Sequence, residues 1–150
     1  MAVNEHEEAF VRSFIVKDRR ERYLSLLANP KRRPKLLDRL NHQLDLDYAF
    51  ATPIPTRQRN VGDLEHLLRQ KGAGAMCHVI ADASPLDGAD LLLHDALERL
   101  YGLHQFGVVF CCVAGRLAFY KPEDVSEHYL WSVHADCVVA ALAAAPPSFS

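Results

Sequence analysis

Apolar and polar positions follow three regimes along this chain. Over residues 1–43 the apolar positions recur at helical spacing. Phe10, Val11, Phe14 and Ile15 form one stripe, Tyr23, Leu24 and Leu27 a second, and Leu36, Leu37 and Leu40 a third. Recurrence at i, i+3 and i+4 predicts amphipathic helices, although 9–16 is also rich in strand formers. Asn4 with Glu7, and Asp18 with Glu21, have the spacing of a capping box, in which two side chains satisfy the free N–H groups of a helix start. Asn29-Pro30 closes the second helix. Pro34 suits the first turn of the third, where its missing N–H leaves no helical bond unmade.

Residues 44–60, LDLDYAFATPIPTRQRN, hold no period. They are expected to form an extended, packed connection anchored by Tyr48, Phe50 and Ile54, and the length is unusual for a plain loop.

From residue 61 the pattern alternates between periods. A helix is expected over 61–71, with Leu64, Leu67 and Leu68 inward and Gly72 as its stop. A strand buried on both faces follows at 75–81, then a helix at 91–101 ended by Gly102, and a second buried strand at 106–113. Ala114-Gly115 turns the chain into a hairpin strand at 116–120, and 121–124 is a polar turn. A further strand at 128–133 and a helix at 135–144 complete the order, with Val138, Val139 and Leu142 on its core side. Strand, helix, strand with this spacing predicts a right-handed parallel crossover. The expected fold class is therefore α/β: a single domain (1–150) with a small mixed sheet, a βαβ crossover plus hairpin. A helical N-terminal segment (1–43) precedes it, then the connection (44–60) and the α/β core (61–150).

Composition narrows the class. Of 150 residues, 49% are hydrophobic and 24% charged, which excludes a disordered chain and suits one real core. No apolar run approaches the roughly 18 residues of a membrane span, so no membrane partner is expected. The opening MAVNEHEEAF lacks the basic-then-apolar order of a secretory signal, so the expected location is cytoplasmic. The four cysteines, Cys77, Cys111, Cys112 and Cys137, are then reduced. Three lie in apolar stretches, where a thiol packs as a small hydrophobe, and Cys111 and Cys112 would face opposite sides of a strand.

Charge is unevenly placed. The net charge is −2, yet residues 12–39 hold ten basic side chains against Asp18, Glu21 and Asp38, a local +7. Such a cluster can neutralise phosphates, with Arg19, Arg20, Lys31, Arg32, Arg33 and Lys35 as the candidate polyanion-binding residues and the turn 29–35 as the best surface. The competing expectation is a solvated helix face, or cations that dock on the acidic remainder of the same chain. The partners expected are nucleic acid or an acidic protein. A second copy of the chain is expected to pair through the hairpin edge at 116–120, because an unpaired strand edge can take up another.

A second candidate site is the loop after the first buried strand, with Asp82, Ser84 and Asp87, since ligands of α/β sheets gather at strand carboxyl ends. With His94 as base, and Asp87 or Asp95 to orient it, Ser84 or Cys77 could act as a nucleophile. Ser84-Pro85 and Asp87-Gly88 are also ordinary turn formers, and no G-x-S-x-G elbow is present. No Cys or His pair has the spacing of a zinc site, so neither metal nor cofactor is expected. The leading function is a small non-enzymatic binding or regulatory protein. The alternatives are a small enzyme or ligand-binding domain built on the Asp82/Ser84/Asp87 loop, and a protein–protein assembly module.

The segments ERYLSLLANPKRRPKLLDRLNH, FATPIP, CHVIADASPLDG and the hairpin ending GRLAFY together resemble a group of small uncharacterised bacterial proteins over most of residues 19–121. That resemblance implies no ligand or catalytic residue. The order helix, strand, helix, strand in 61–113 is similar to the third domain of archaeal and eukaryotic peptide-chain release factors, without their diagnostic motifs.

Overall fold

A computed structural model describes residues 3–42, 45–101, 107–123 and 128–132. Helix α1 (Glu5–Phe14) begins as the pattern predicts. Asn4 Oδ1 accepts the backbone N–H of His6 at 2.8 Å and of Glu7 at 3.3 Å. Glu7 does not return the bond to the cap, and its carboxylate turns into the protein. The second predicted box is not formed. Lys17–Arg19 is a 3-10 turn, and α2 (Arg20–Leu27) follows it without a side-chain cap. The backbone there is already fixed by Val16 N–H on the Asp45 carbonyl at 2.8 Å, so the entry to α2 needs no Asp18 cap. Helix α3 (Arg33–Asn41) carries Pro34 in its first turn and buries Leu36, Leu37 and Leu40.

The connection holds an element that the prolines disguise. A 3-10 turn at Tyr48–Phe50 leads into β1 (Ala51–Pro53), which pairs antiparallel with β6 (Tyr129–Ser132). Proline is tolerated in a sheet at its edge, and β1 is an edge. Of the three expected anchors only Ile54 is buried, at 2% exposure, while Tyr48 and Phe50 are 42% and 36% exposed.

Helix α4 (Val61–Gln70) is capped by Asn60, whose Oδ1 accepts the Asp63 N–H at 2.9 Å, and it stops at Gly72 with φ +114°. Strand β2 (Met76–Ala81) follows. The stretch read as a helix from 91 instead opens with a short strand, β3 (Asp90–Leu92), before α5 (Leu93–Ala96) and a π-turn at Leu97–Tyr101. Strands β4 (Val108–Val113) and β5 (Leu117–Lys121) make the hairpin, turning at Gly115 with φ +70°.

Among the described residues, six strands form one sheet in the order β1-β6-β5-β4-β2-β3, and every pairing is antiparallel. The expected parallel crossover is therefore corrected, because His78 of β2 faces Cys111 of β4 in an antiparallel ladder. The cause is β3. It carries the chain back along β2 to the Met76 end before α5 begins, whereas β4 starts opposite Ala81 and so must run the opposite way. The expected hairpin edge is corrected as well: β5 lies between β4 and β6 and is buried along its length. The helix expected at 135–144 lies outside the described residues.

Helices occupy both faces of the sheet, giving an α/β fold. On one face Phe10, Phe14, Tyr23, Leu26 and Leu36 pack against Ile80, Val109, Tyr120 and Trp131. On the other, Leu64, Leu68, Leu93 and Leu97 pack against Val79, Phe110, Phe119 and Leu130. Cys111 and Cys112 join opposite cores, as strand alternation predicts. The first face is pinned by Trp131 Nε1–H on the Asp47 carbonyl at 3.0 Å and by the Tyr120 hydroxyl on the Leu40 carbonyl.

Candidate functional site

The most concentrated chemistry in the fold is a chain of five charged side chains that joins the helical segment to the sheet. It begins at Asp87, in the loop after β2. Arg33, at the start of α3, donates Nε–H to Asp87 Oδ2 at 2.6 Å and Nη2–H to Oδ1 at 2.9 Å. The same guanidinium donates to both oxygens of Glu7, at 2.6 and 2.9 Å. Glu7 Oε2 lies 2.6 Å from Nε2 of His78 on β2, and His78 Nδ1 lies 2.7 Å from Asp90 Oδ1 on β3. Forked guanidinium–carboxylate bonds of this kind are directional and strong. A histidine held between two carboxylates donates from both ring nitrogens, so it is an imidazolium.

Burial sets the electrostatics. Glu7 is 4% and His78 1% exposed, whereas the Asp90 side chain is mostly in solvent. Burial alone would raise the Glu7 pKa, but the bonds from His78 and Arg33 outweigh it and hold the carboxyl down at about 2. Burial likewise works against the His78 charge, and Glu7 and Asp90 overcome it and raise its pKa. Asp87 raises that of Arg33, against the cost of burial, with Glu7 adding to the effect. The His6 ring stacks on His78, with centroids 5.7 Å apart and planes within 4°.

This arrangement answers the question raised by the basic segment. Arg33 faces its own domain. Arg39 does the same at the other end of α3, donating to Asp45 Oδ2 at 2.7 Å, where the Tyr23 hydroxyl also donates at 2.8 Å. Arg19 approaches Asp45 at 3.8 Å and stays exposed, and Arg20 Nε–H is spent on the Ile15 carbonyl at 2.8 Å. Because Arg19 and Arg39 meet at one carboxylate, α2 and α3 run antiparallel. The six candidates therefore split between two ends of a helix pair about 12 Å long. Lys31, Arg32 and Lys35 remain together in one turn, exposed, with no ion pair among the described residues.

The acidic loop is shaped by its own backbone. Ser84 Oγ accepts the Leu86 N–H at 3.1 Å, the Ser84 carbonyl accepts Asp87 N–H, and Asp87 Oδ1 also accepts Ala81 N–H at 2.9 Å. Asp87 is thus fully engaged, and Asp82 is half-buried in a small pocket with Leu37, Leu40 and Tyr120. His94 does not join them. Leu93 N–H bonds to the Ala75 carbonyl, which puts His94 at the opposite end of β2, some 20 Å away by strand rise. There it pairs with Glu65 of α4 at 2.8 Å. A Ser84–His94 nucleophile is corrected by the same β3 that reversed the crossover. The Cys77 thiol is 3% exposed, and burial pushes its pKa up to about 12, so it is packing rather than a nucleophile. Among the described residues, no group of three His, Cys, Asp or Glu side chains is placed to hold a metal ion, and no helix is long and apolar enough to cross a membrane.

Sequence reasoning missed Glu7, His78 and Asp90. Two signals were present: an acid one turn ahead of Phe10 and Val11 on the same stripe, and a lone polar residue inside the apolar run MCHVIA. Compared with protein-family models, with curated proteins and with solved structures, the chain has no match.

Proposed function

We propose that this protein is a non-enzymatic nucleic-acid-binding protein that contacts the phosphate backbone through Lys31, Arg32 and Lys35. The observation that carries the reading is the division of labour within the turn 29–35. Arg33 is drawn inward by Glu7 and Asp87, and its three cationic neighbours are left outward with no acidic partner among the described residues. The positive end of the α3 dipole lies at the same turn and favours an anion there.

Nucleic acid fits this surface better than an acidic protein does. Protein partners are held largely by buried aromatic and arginine anchors. The large apolar side chains that are exposed, Tyr48, Phe50, Met76 and Leu92, all lie outside the turn. Among the described residues no exposed aromatic side chain belongs to the turn, so the turn itself has nothing to stack on bases and the expected contact is blind to sequence. The enzymatic alternative loses support because Asp87 and Ser84 are engaged in the loop itself.

The test is a gel shift with duplexes of two unrelated sequences at low salt. Equal binding of both, lost in the Lys31→Glu/Arg32→Glu/Lys35→Glu variant, is the expected result. Absence of binding, or binding unchanged by the three substitutions, overturns the reading. Capture of an acidic protein in place of nucleic acid, sensitive to the same substitutions, would transfer the surface to that partner.

A further inference from the structure

The two edges of the sheet are finished differently. At β1, Ile54 N–H points inward to the His128 carbonyl at 2.9 Å, so by strand alternation residue 53 points outward, and Pro53 has no N–H. Ala51 N–H is already bound by the Tyr48 carbonyl. That edge offers no donor over β1 and is closed against pairing. At β3, Leu93 N–H bonds to the Ala75 carbonyl and Val79 N–H to the Ala89 carbonyl, so residues 89, 91 and 93 turn their peptide groups toward β2. Asp90 and Leu92 turn theirs outward, and no described residue accepts either N–H.

The side chains at β3 leave its edge unguarded. Met76 and Leu92 face each other across β2 and β3, and both are half-exposed. Asp90 carries the charge that could repel an incoming strand, and it is matched by His78 at 2.7 Å. We propose that the β3 edge pairs antiparallel with the same edge of a second copy of the chain, about a two-fold axis at Leu91. Asp90 N–H then meets the Leu92 carbonyl of the other copy, and Leu92 N–H meets its Asp90 carbonyl, so the outward donors of both copies are satisfied. The Met76–Leu92 pairs of the two copies come to lie on one face of a continuous sheet. A second copy fits this edge better than a free peptide, because its strand is already formed. A peptide would have to offset its ordering entropy with a few hydrogen bonds. An edge of three residues buries far less than the roughly 800 Å² per partner of a standard interface, so the dimer is weak and concentration-dependent. This inference is independent of the nucleic-acid reading.

Sedimentation velocity of the full chain under reducing conditions tests it, over a series from low to high micromolar concentration. The average mass of the parent is expected to rise from one chain toward two. Leu92 has φ −59°, the angle that proline fixes, and its N–H serves nothing within the fold. Leu92→Pro therefore removes the outward donor and keeps the backbone. It is expected to weaken association by at least about tenfold, since two hydrogen bonds per dimer are lost. Leu92→Lys, which guards the edge with a charge, should do the same, and Thr52→Lys on β1 should associate as the parent does. A second readout needs no substitution. Amide exchange at Asp90 and Leu92 is expected to be several-fold slower at high than at low concentration, with that at Leu91 unchanged. A parent that stays monomeric throughout the series overturns the proposal. So does association indifferent to both Leu92 substitutions, association lost in Thr52→Lys instead, or exchange at Asp90 and Leu92 that ignores concentration.

Discussion

Glu7 and His78 lie 71 positions apart in sequence and 2.6 Å apart in the fold, one at the start of the first helix and the other on β2, one strand in from the sheet edge. With Arg33 on the far side of Glu7, the pair locks the helical segment to the α/β core. Charge that composition alone would assign to a surface is here structural.

Removing Arg33 leaves Glu7 buried beside a single cation. Arg33→Met is expected to destabilise the protein by about 3 kcal/mol, the usual cost of stranding a buried charge, whereas Lys31→Met and Arg32→Met stay within about 0.5 kcal/mol of the parent. Urea unfolding of the three variants checks this. Equal, small effects would mean that the Arg33 forks contribute nothing.

Stability should have a pH window set by the same pair. The pKa of His78 is raised in the fold, so its contribution is complete below its ordinary value of 6.5 and is lost as pH rises through the folded value. That of Glu7 is lowered from 4.5 to about 2, so its contribution is complete above 4.5 and is lost as pH falls toward 2. The groups facing His78 are Glu7 and His6 from α1 and Asp90 from β3, with Arg33 of α3 reaching it through Glu7. Denaturant midpoints measured across pH are expected to decline on the alkaline side in the parent. His78→Gln should flatten that limb, and a limb left unchanged would remove His78 from the account.

The hairpin turn approaches α1 closely at Gly115. A Cβ at Gly115, where φ is +70°, would sit 3.1 Å from Ser13 Oγ. Gly115→Ala is therefore expected to cost about 1–2 kcal/mol, from backbone strain plus crowding. Combining it with Ser13→Ala, which removes the crowded Oγ and keeps helix propensity, should recover only the crowding part. Full recovery in thermal unfolding would show that the backbone conformation carries no strain.

The sheet thiols should be silent. Burial raises the pKa of Cys77, Cys111 and Cys112 alike. In a Cys137→Ser background, a chromogenic disulfide reagent is expected to label none of the three in the native state and all three in urea. Rapid labelling of the folded protein would contradict the buried placement of these strands.

Much of the fold is written in local pattern, and its errors have one physical origin. The stripes Phe10/Phe14 and Leu36/Leu40 are amphipathic by themselves, and Asn4 and Gly72 mark helix ends by local chemistry, which requires no knowledge of distant residues. The strands β1 and β3 have three residues each, too few for a period, and β1 ends on a proline. Missing β3 reversed the apparent direction of β4 and joined His94 to a loop at the far end of the sheet. The charged network was illegible for a related reason. Glu7, Arg33, His78, Asp87 and Asp90 belong to separate elements, and a capping spacing and a turn motif each gave a sufficient local explanation for one of them.

The most direct test of the account is the salt dependence of duplex binding, followed by fluorescence anisotropy. Three phosphate contacts predict that log K falls against log salt with a slope of about −2 to −3, nearly flat in the Lys31→Glu/Arg32→Glu/Lys35→Glu variant. Arg33→Met, studied at a temperature where it stays folded, should keep the parent slope. Binding that survives the triple substitution, or that depends on Arg33 rather than on its three neighbours, would contradict the division between an inward-facing Arg33 and an outward-facing basic turn.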